Sequence, residues 1–429
     1  MTEGVIWKEI LFFAIPLILG NLFQQLYNTV DSIIVGNYVG SNALAAVGSS
    51  GAIINLLIGF CIGASTGAGV VISQFYGAKN TEGVRKAVHT TMAIALVAGV
   101  LLTVIGITMT PSMLRLMGTP DKVFEQSVIY LQVYFGGSLF SVVYNMSAGN
   151  SRRSLVYLMI AAISNIFLDL IMVVGLKLGI VGAALATDIS QLISCIFIWG
   201  FLIRSEDVYK LKIKEIRCYD HLLSKIIRIG IPTGIQNIVI SLSNLIVQTS
   251  VNSFGATVMA GFAAYIKIDG FNILPVMSFS MAATTFAGQN YGAGNIDRVR
   301  KGMRVTVAMG VIYCLCIGGI LLLFSHPIIG VFSKDPTVIE YGVRAMWYFC
   351  PFYFILAIMH GLAGAIRGIG KSVPPMVIIL ISLCVYRVVW IQLAVPHIPT
   401  IDGVYMVYPI SWLIGAILMI IYTKKAFPK

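Results

Sequence analysis

Asp31, Asn165, Asp169 and Thr187 carry oxygen ligands inside stretches that are otherwise almost wholly apolar. Polar side chains are costly in such surroundings, so their positions are more informative than the Leu and Ile around them. Two carboxylates, an amide and a hydroxyl form a hard, oxygen-rich set suited to Na⁺ or to a shared proton. Asn165 and Asp169 are four residues apart and so share one helix face. At about 1.5 Å per residue, Asp31 and Asp169 lie roughly 12 Å and 9 Å inside the outer ends of their stretches, and Thr187 roughly 10 Å. Three distant segments thus place oxygen atoms at one level. No Lys or Arg lies in the first six apolar stretches, so these carboxylates have no buried cation to pair with. The expectation is a cation or proton site built from these four residues. Asp188 follows Thr187 but points about 100° away around the helix.

A second pattern is uncharged. Asn21, Gln25, Asn28 and Ser32 follow one another at steps of 4, 3 and 4, which is one helix face. Asn237, Ser241, Asn244 and Gln248 repeat those steps 216 residues later. Matched stripes are expected where two related helices line a shared wet cavity. The competing reading is hydrogen-bond glue between neighbouring helices. Pro16, about four turns before Asp31, frees a backbone carbonyl and is the expected hinge of its helix; Pro232 mirrors it. The later half also holds Lys267, Asp269 and Arg387. A buried Asp269–Arg387 ion pair is expected there, in preference to substrate contact.

These residues sit in a chain of 429 residues that is 58% hydrophobic and 11% charged. No soluble domain of that length hides so much apolar surface, which makes this a multi-pass membrane protein. Apolar stretches fall near 10–39, 44–76, 87–109, 123–146, 155–174 and 180–203, then 229–254, 256–290, 303–325, 341–362, 376–395 and 402–423. Twelve spans with the N-terminus inside put most of the 29 Lys and Arg in cytoplasmic segments. The net charge of +12 then reflects topology and calls for no nucleic acid. Both termini are expected to be cytoplasmic, in the cell membrane, and the protein to be a monomer. The seven cysteines lie mostly in apolar runs without metal-binding spacing and read as small core fillers. The first apolar stretch has no short core with a small-residue cleavage site, so no cleaved signal peptide is expected.

The chain also repeats itself. Gln74-Phe75-Tyr76-Gly77-Ala78-Lys79-Asn80 returns as Gln289-Asn290-Tyr291-Gly292-Ala293-Gly294-Asn295, and Val84-Arg85-Lys86 as Val299-Arg300-Lys301. Gly182 and Ser190 return as Gly403 and Ser411. Six spans per repeat give both halves the same orientation, so the expected fold is all-α, with two six-helix bundles about a pseudo-two-fold axis along the membrane normal. The bundles are residues 1–203 and 229–429, and 204–228 is a charged cytoplasmic linker. The repeat offset changes between Tyr134/Tyr348 and Gly149/Gly370. Gly361-Leu362-Ala363-Gly364-Ala365-Ile366-Arg367 has no counterpart after Met146, so span 4 is expected to lack roughly two turns at its cytoplasmic end.

Taken together, the run FAIPLILGNLFQQLYNTVDSIIVGNYVG, the SQFYGAKN and GQNYGAGN pair, and the N-x-x-x-D of span 5 resemble the multidrug and toxic compound extrusion (MATE) family, in its DinF-type branch. The resemblance covers essentially the whole chain. It implies two bundles forming a V-shaped cavity and export of organic cations and other amphipathic drugs against Na⁺ or H⁺. It places the family's first-bundle cation site on Asp31, Asn165, Asp169 and Thr187. The acids that another branch carries in spans 7 and 10 have no match here, which assigns coupling to the first bundle. The shortening after Met146 departs from the family at the cytoplasmic gate of that bundle.

The function expected is an ion-coupled multidrug antiporter with small drug-like substrates, no cofactor beyond its coupling ion, and the lipid bilayer as surroundings. A flippase for a lipid-linked oligosaccharide is the related alternative. Its cavity would need Arg or Lys for a pyrophosphate, and the stripes are neutral. An intramembrane enzyme is disfavoured because HExxH, GxSxG and P-loop motifs are all absent.

Overall fold

The computed structural model describes residues 1–147, 151–398 and 400–427. Gly149, which marks the change of repeat offset, lies outside the described residues. Those described form helices and no strand. Lipid cannot hydrogen-bond a backbone, so each crossing segment must satisfy its own N–H and C=O groups, and the helix does so. Among the described residues eleven helices are long and apolar enough to cross a membrane, and counting one bent pair as a span makes up to twelve.

In chain order the helices are α1 (Ile6–Tyr38), α2 (Ser41–Gly77), α3 (Thr81–Leu116), α4 (Asp121–Gly136), α5 (Ser138–Ser147), α6 (Ser151–Asp169), α7 (Gly179–Arg204) and α8 (Asp220–Asn252). There follow α9 (Ala256–Gly292), α10 (Ile296–Leu323), the short α11 (Ser325–Gly330), α12 (Pro336–Phe349), α13 (Tyr353–Gly368), α14 (Val373–Ile379), α15 (Tyr386–Leu393), α16 (Asp402–Tyr405) and α17 (Val407–Ala426). π-helical turns continue α6 over Leu170–Gly175 and join α14 to α15 over Leu380–Val385.

The chain divides into two compact units, Ile15–Gly234 and Met1–Ala14 with Ile235–Lys429. Both boundaries fall inside proline-bearing helices: α1 runs unbroken through Pro16, and α8 through Pro232. In the first unit Leu114, Leu131 and Phe135 are buried completely. There the start of α8 packs on α2, backbone against backbone. A Cβ on Gly63 would lie 2.3 Å from the Gly234 nitrogen, and one on Gly67 2.5 Å from the Ile226 carbonyl oxygen. Paired small residues four apart permit this approach, where dispersion replaces the hydrophobic effect as the glue.

The second unit is built on aromatic rings. Phe262, Phe349 and Tyr405 are fully or almost fully buried, with the Phe349 and Tyr265 centroids 4.7 Å apart. The amino-terminal segment belongs to this unit through Arg298, whose Nη2 donates to the Glu3 and Gly4 carbonyls at 2.7 and 2.9 Å.

The internal repeat is visible in local structure. Gly40 (φ +119°) and Gly255 (φ +98°) open α2 and α9 in a region that disfavours a side chain. Ser65 donates to the Asn145 carbonyl, and Ser280 to that of His360. The fourth span is where sequence and structure part: the continuous helix read at 123–146 is bent by 47° between α4 and α5. Gly137 occupies the break, against Asp188; the equivalent break between α12 and α13 holds Pro351. One half uses glycine and the other proline to interrupt the ladder. Past that break α5 has 10 residues and α13 has 16. The extra turns of α13 are tied to α9, since Thr284 donates to the Gly364 carbonyl and Arg367 to the Ser280 hydroxyl, both at 3.0 Å.

Candidate functional site

Within the first unit α1 supplies Asp31, α6 supplies Asn165 and Asp169, and α7 supplies Thr187. All four are buried, Asn165 and Asp169 completely. The Asn165 Nδ2 reaches the Thr187 hydroxyl oxygen at 3.5 Å, and that hydroxyl donates to the Ala183 carbonyl at 3.2 Å. The Asp31 and Asp169 carboxyl groups lie within electrostatic reach of each other. A π-helical turn begins directly after Asp169. Such turns shift the register of the helix face beyond them and recur at functional sites.

Asp31 Oδ1, Asn165 Oδ1 and both carboxylate oxygens of Asp169 are buried without a hydrogen bond. A charged group at membrane depth costs about 2.5–3.5 kcal/mol even on insertion scales, and buried polar atoms normally find partners. Four orphaned oxygens on two helices, with the Thr187 hydroxyl of α7 beside them, form a set that could accept a proton or a hard cation. Among the described residues no three His, Cys, Asp or Glu side chains gather as a metal site. The set instead combines acid, amide and hydroxyl oxygens, as Na⁺ accepts.

The surrounding residues include several that the sequence reading passed over. The Tyr130 phenol on α4 lies within electrostatic reach of Asp31, Asp169 and Asp188. Tyr27, one turn before Asp31, is buried beside Gln24 and Gln191. Aromatic residues at helical spacing read as core, so only the acid one turn away from Tyr27 hinted at its place. Asp188 stands against the helix break, where a Cβ on Gly137 would lie 2.2 Å from its carboxyl carbon.

The two stripes keep contact with their surroundings. Asn21, Gln25 and Ser32 are half-buried and Asn28 exposed on α1; Asn237, Ser241 and Gln248 are half-buried and Asn244 exposed on α8. Ser32 donates back to the Asn28 carbonyl, and Gln248 donates to the Asn252 side chain at 2.8 Å. Pro16 is buried.

The expected Asp269–Arg387 ion pair is not formed at contact distance among the described residues, although the two charges lie within electrostatic reach of each other. Arg387 instead donates from Nη1 to the Asn244 amide oxygen and from Nε to the Ser411 hydroxyl, each at 3.1 Å. Its guanidinium also stacks 4.4 Å from the Tyr408 ring centre. Asp269 receives the hydroxyls of Tyr353 at 2.5 Å and Tyr265 at 3.2 Å. A planar guanidinium finds several neutral partners and a ring face, and phenols serve the acid. The stripe on α8 is thus not wholly neutral in its surroundings, since Arg387 reaches it through Asn244.

Comparison with known proteins bears on this arrangement. A family model described as MatE matches residues 16–171 and 232–391. The chain is 29% identical over 448 residues to the probable multidrug resistance protein YoeA of Bacillus subtilis, covering 100% of this chain and 96% of that one. It is 22% identical over 345 residues to the multidrug export protein MepA of Staphylococcus aureus, 79% of this chain and 76% of that one. A solved structure of a MOP superfamily transporter from Pyrococcus furiosus superposes with a TM-score of 0.92 at 23% identity, over 99% of this chain and 96% of that chain. An outward-facing multidrug resistance MATE family transporter gives 0.91 at 21% identity, again over 99% and 96%.

Proposed function

We propose that this chain, which belongs to the MatE family, is a secondary multidrug exporter that exchanges organic cations or other amphipathic drugs for Na⁺ or H⁺. The observation that carries the coupling is the group of four buried oxygens without partners, on Asp31, Asn165 and Asp169. In this reading Asp31, Asn165, Asp169 and Thr187 hold the coupling ion. The stripes Asn21, Gln25, Asn28, Ser32 and Asn237, Ser241, Asn244, Gln248 line the substrate path. Small drug-like molecules are the partners, and the working unit is a monomer in the cell membrane with both termini in the cytoplasm. The transport halves are 1–203 and 229–429, joined by 204–228.

Exchange follows from charge. Two nearby carboxylates away from water titrate as a pair, holding one proton or giving it up for Na⁺. Loading removes net charge from α1 and α6, and α1 changes its bend at Pro16. Drug and ion then favour different states of one equilibrium, and the binding of either expels the other. Drug efflux from inverted vesicles under separately imposed Na⁺ and H⁺ gradients tests the proposal. Efflux driven by one of the gradients is expected; efflux indifferent to both would end the antiport reading.

A further inference from the structure

Asp269 belongs to the second unit, away from the four residues assigned to the coupling ion, and has no equivalent in the first repeat. It sits 13 residues into α9, about 20 Å from that helix's start, well inside a crossing segment. Both of its hydrogen bonds fall on one oxygen, Oδ1, from Tyr353 at 2.5 Å and Tyr265 at 3.2 Å. The two phenol oxygens are themselves 2.7 Å apart, so the carboxylate is fixed at a three-cornered junction of α9 and α13. Oδ2 makes no hydrogen bond among the described residues, and Asp269 is only half-buried.

The cation nearest in kind, Arg387, is already engaged by Asn244, Ser411 and the face of Tyr408. Asp269 is thereby an acid at membrane depth with no salt bridge among the described residues, felt by Arg387 only across a gap. One turn along α9, Asn272 is buried with its Nδ2 unbonded, its amide oxygen taking the Tyr313 hydroxyl at 3.4 Å. The neighbouring rings belong to the packed aromatic core: Tyr353 stacks on Trp412 with centroids 5.7 Å apart, and Tyr265 lies tilted against Phe349. A half-buried carboxylate with one free oxygen, held rigid at the edge of an aromatic core, suits the positive charge of an aromatic organic cation.

We infer that Asp269 is a recognition site for the positive charge of an aromatic organic cation, held by Oδ2 while Tyr265 and Tyr353 fix the carboxylate from the other side. This deepens the exporter reading and rests on it for the meaning of the ligand, though binding can be measured without transport. Lys267 lies two residues away, exposed and on another face, and takes no part. The purified full chain is titrated with ethidium, a permanent cation, and with N-phenyl-1-naphthylamine, a neutral aromatic probe, in Na⁺-free buffer. Asp269→Asn is expected to weaken ethidium binding about tenfold or more, because the amide keeps the shape of the carboxylate but loses the negative charge that attracts a permanent cation. The neutral probe should bind as before, and Asp269→Glu should restore most of the ethidium affinity. Unchanged ethidium binding in Asp269→Asn would overturn the inference. So would an equal loss for both probes, which marks a structural role. Gradient-driven efflux is followed in parallel with the unsubstituted protein. Normal efflux with unchanged Asp269→Asn binding defeats this inference alone; absent efflux with charge-selective binding loss defeats the exporter reading alone.

Discussion

Asn165 on α6 reaches Thr187 on α7 at 3.5 Å, and one turn further along α6 Asp169 stands with both carboxylate oxygens buried and unbonded. The amide and hydroxyl pin the two helices to each other. The acid is left free to take a proton or an ion.

That division of labour sets the first expectation. Asp31→Asn and Asp169→Asn should each abolish gradient-coupled efflux, since each removes a carboxylate from the set. Asp188→Asn should have a milder effect, because Asp188 stands at the Gly137 break beside the set. Efflux assays in vesicles of matched protein content decide it. Normal coupled efflux in both Asp31→Asn and Asp169→Asn would remove the site assignment.

Topology gives the second. Cys218 is exposed in the polar segment between α7 and α8. In a variant keeping this cysteine alone, an impermeant maleimide should label it from the cytoplasmic side of the membrane. Labelling confined to the outside would invert the orientation drawn from the basic residues.

Packing gives the third. Gly67→Ala places a Cβ 2.5 Å from the Ile226 carbonyl and 2.7 Å from the Gly230 nitrogen, backbone atoms that cannot rotate aside. Overpacking of this kind costs about 1–3 kcal/mol. Two residues on, Gly69→Ala meets nothing within 4 Å and should gain slightly from alanine's helix propensity. Thermal denaturation in detergent should therefore separate the two variants, with Gly67→Ala melting lower. Equal melting would show that α8 does not rest on α2 as described.

Much of this was legible in the sequence for a physical reason. Asp31, Asn165, Asp169 and Thr187 are conspicuous because lipid makes polar atoms expensive, and a rise of fixed length per residue converts position into depth. Tyr27 and Tyr130 were not legible: their role depends on which acid lies across the gap, and periodicity alone assigns aromatics to the core. The bend at Gly137 was hidden because a glycine pair within an apolar run is compatible with a straight span. Asp269 and Arg387 misled for the opposite reason. Opposite charges suggest a pair, yet phenols, an amide and a ring face satisfy each separately.

The central claim, that ion and drug favour opposite states of one equilibrium, is tested most directly by equilibrium binding of ethidium to the purified protein across a Na⁺ series and a pH series. Ethidium keeps its charge throughout, so only the protein titrates. Affinity is expected to fall as Na⁺ or proton occupancy rises, and Asp31→Asn should start at the low affinity of the loaded state with little further response. Ethidium affinity in the unsubstituted protein that is independent of both Na⁺ and pH would contradict the account.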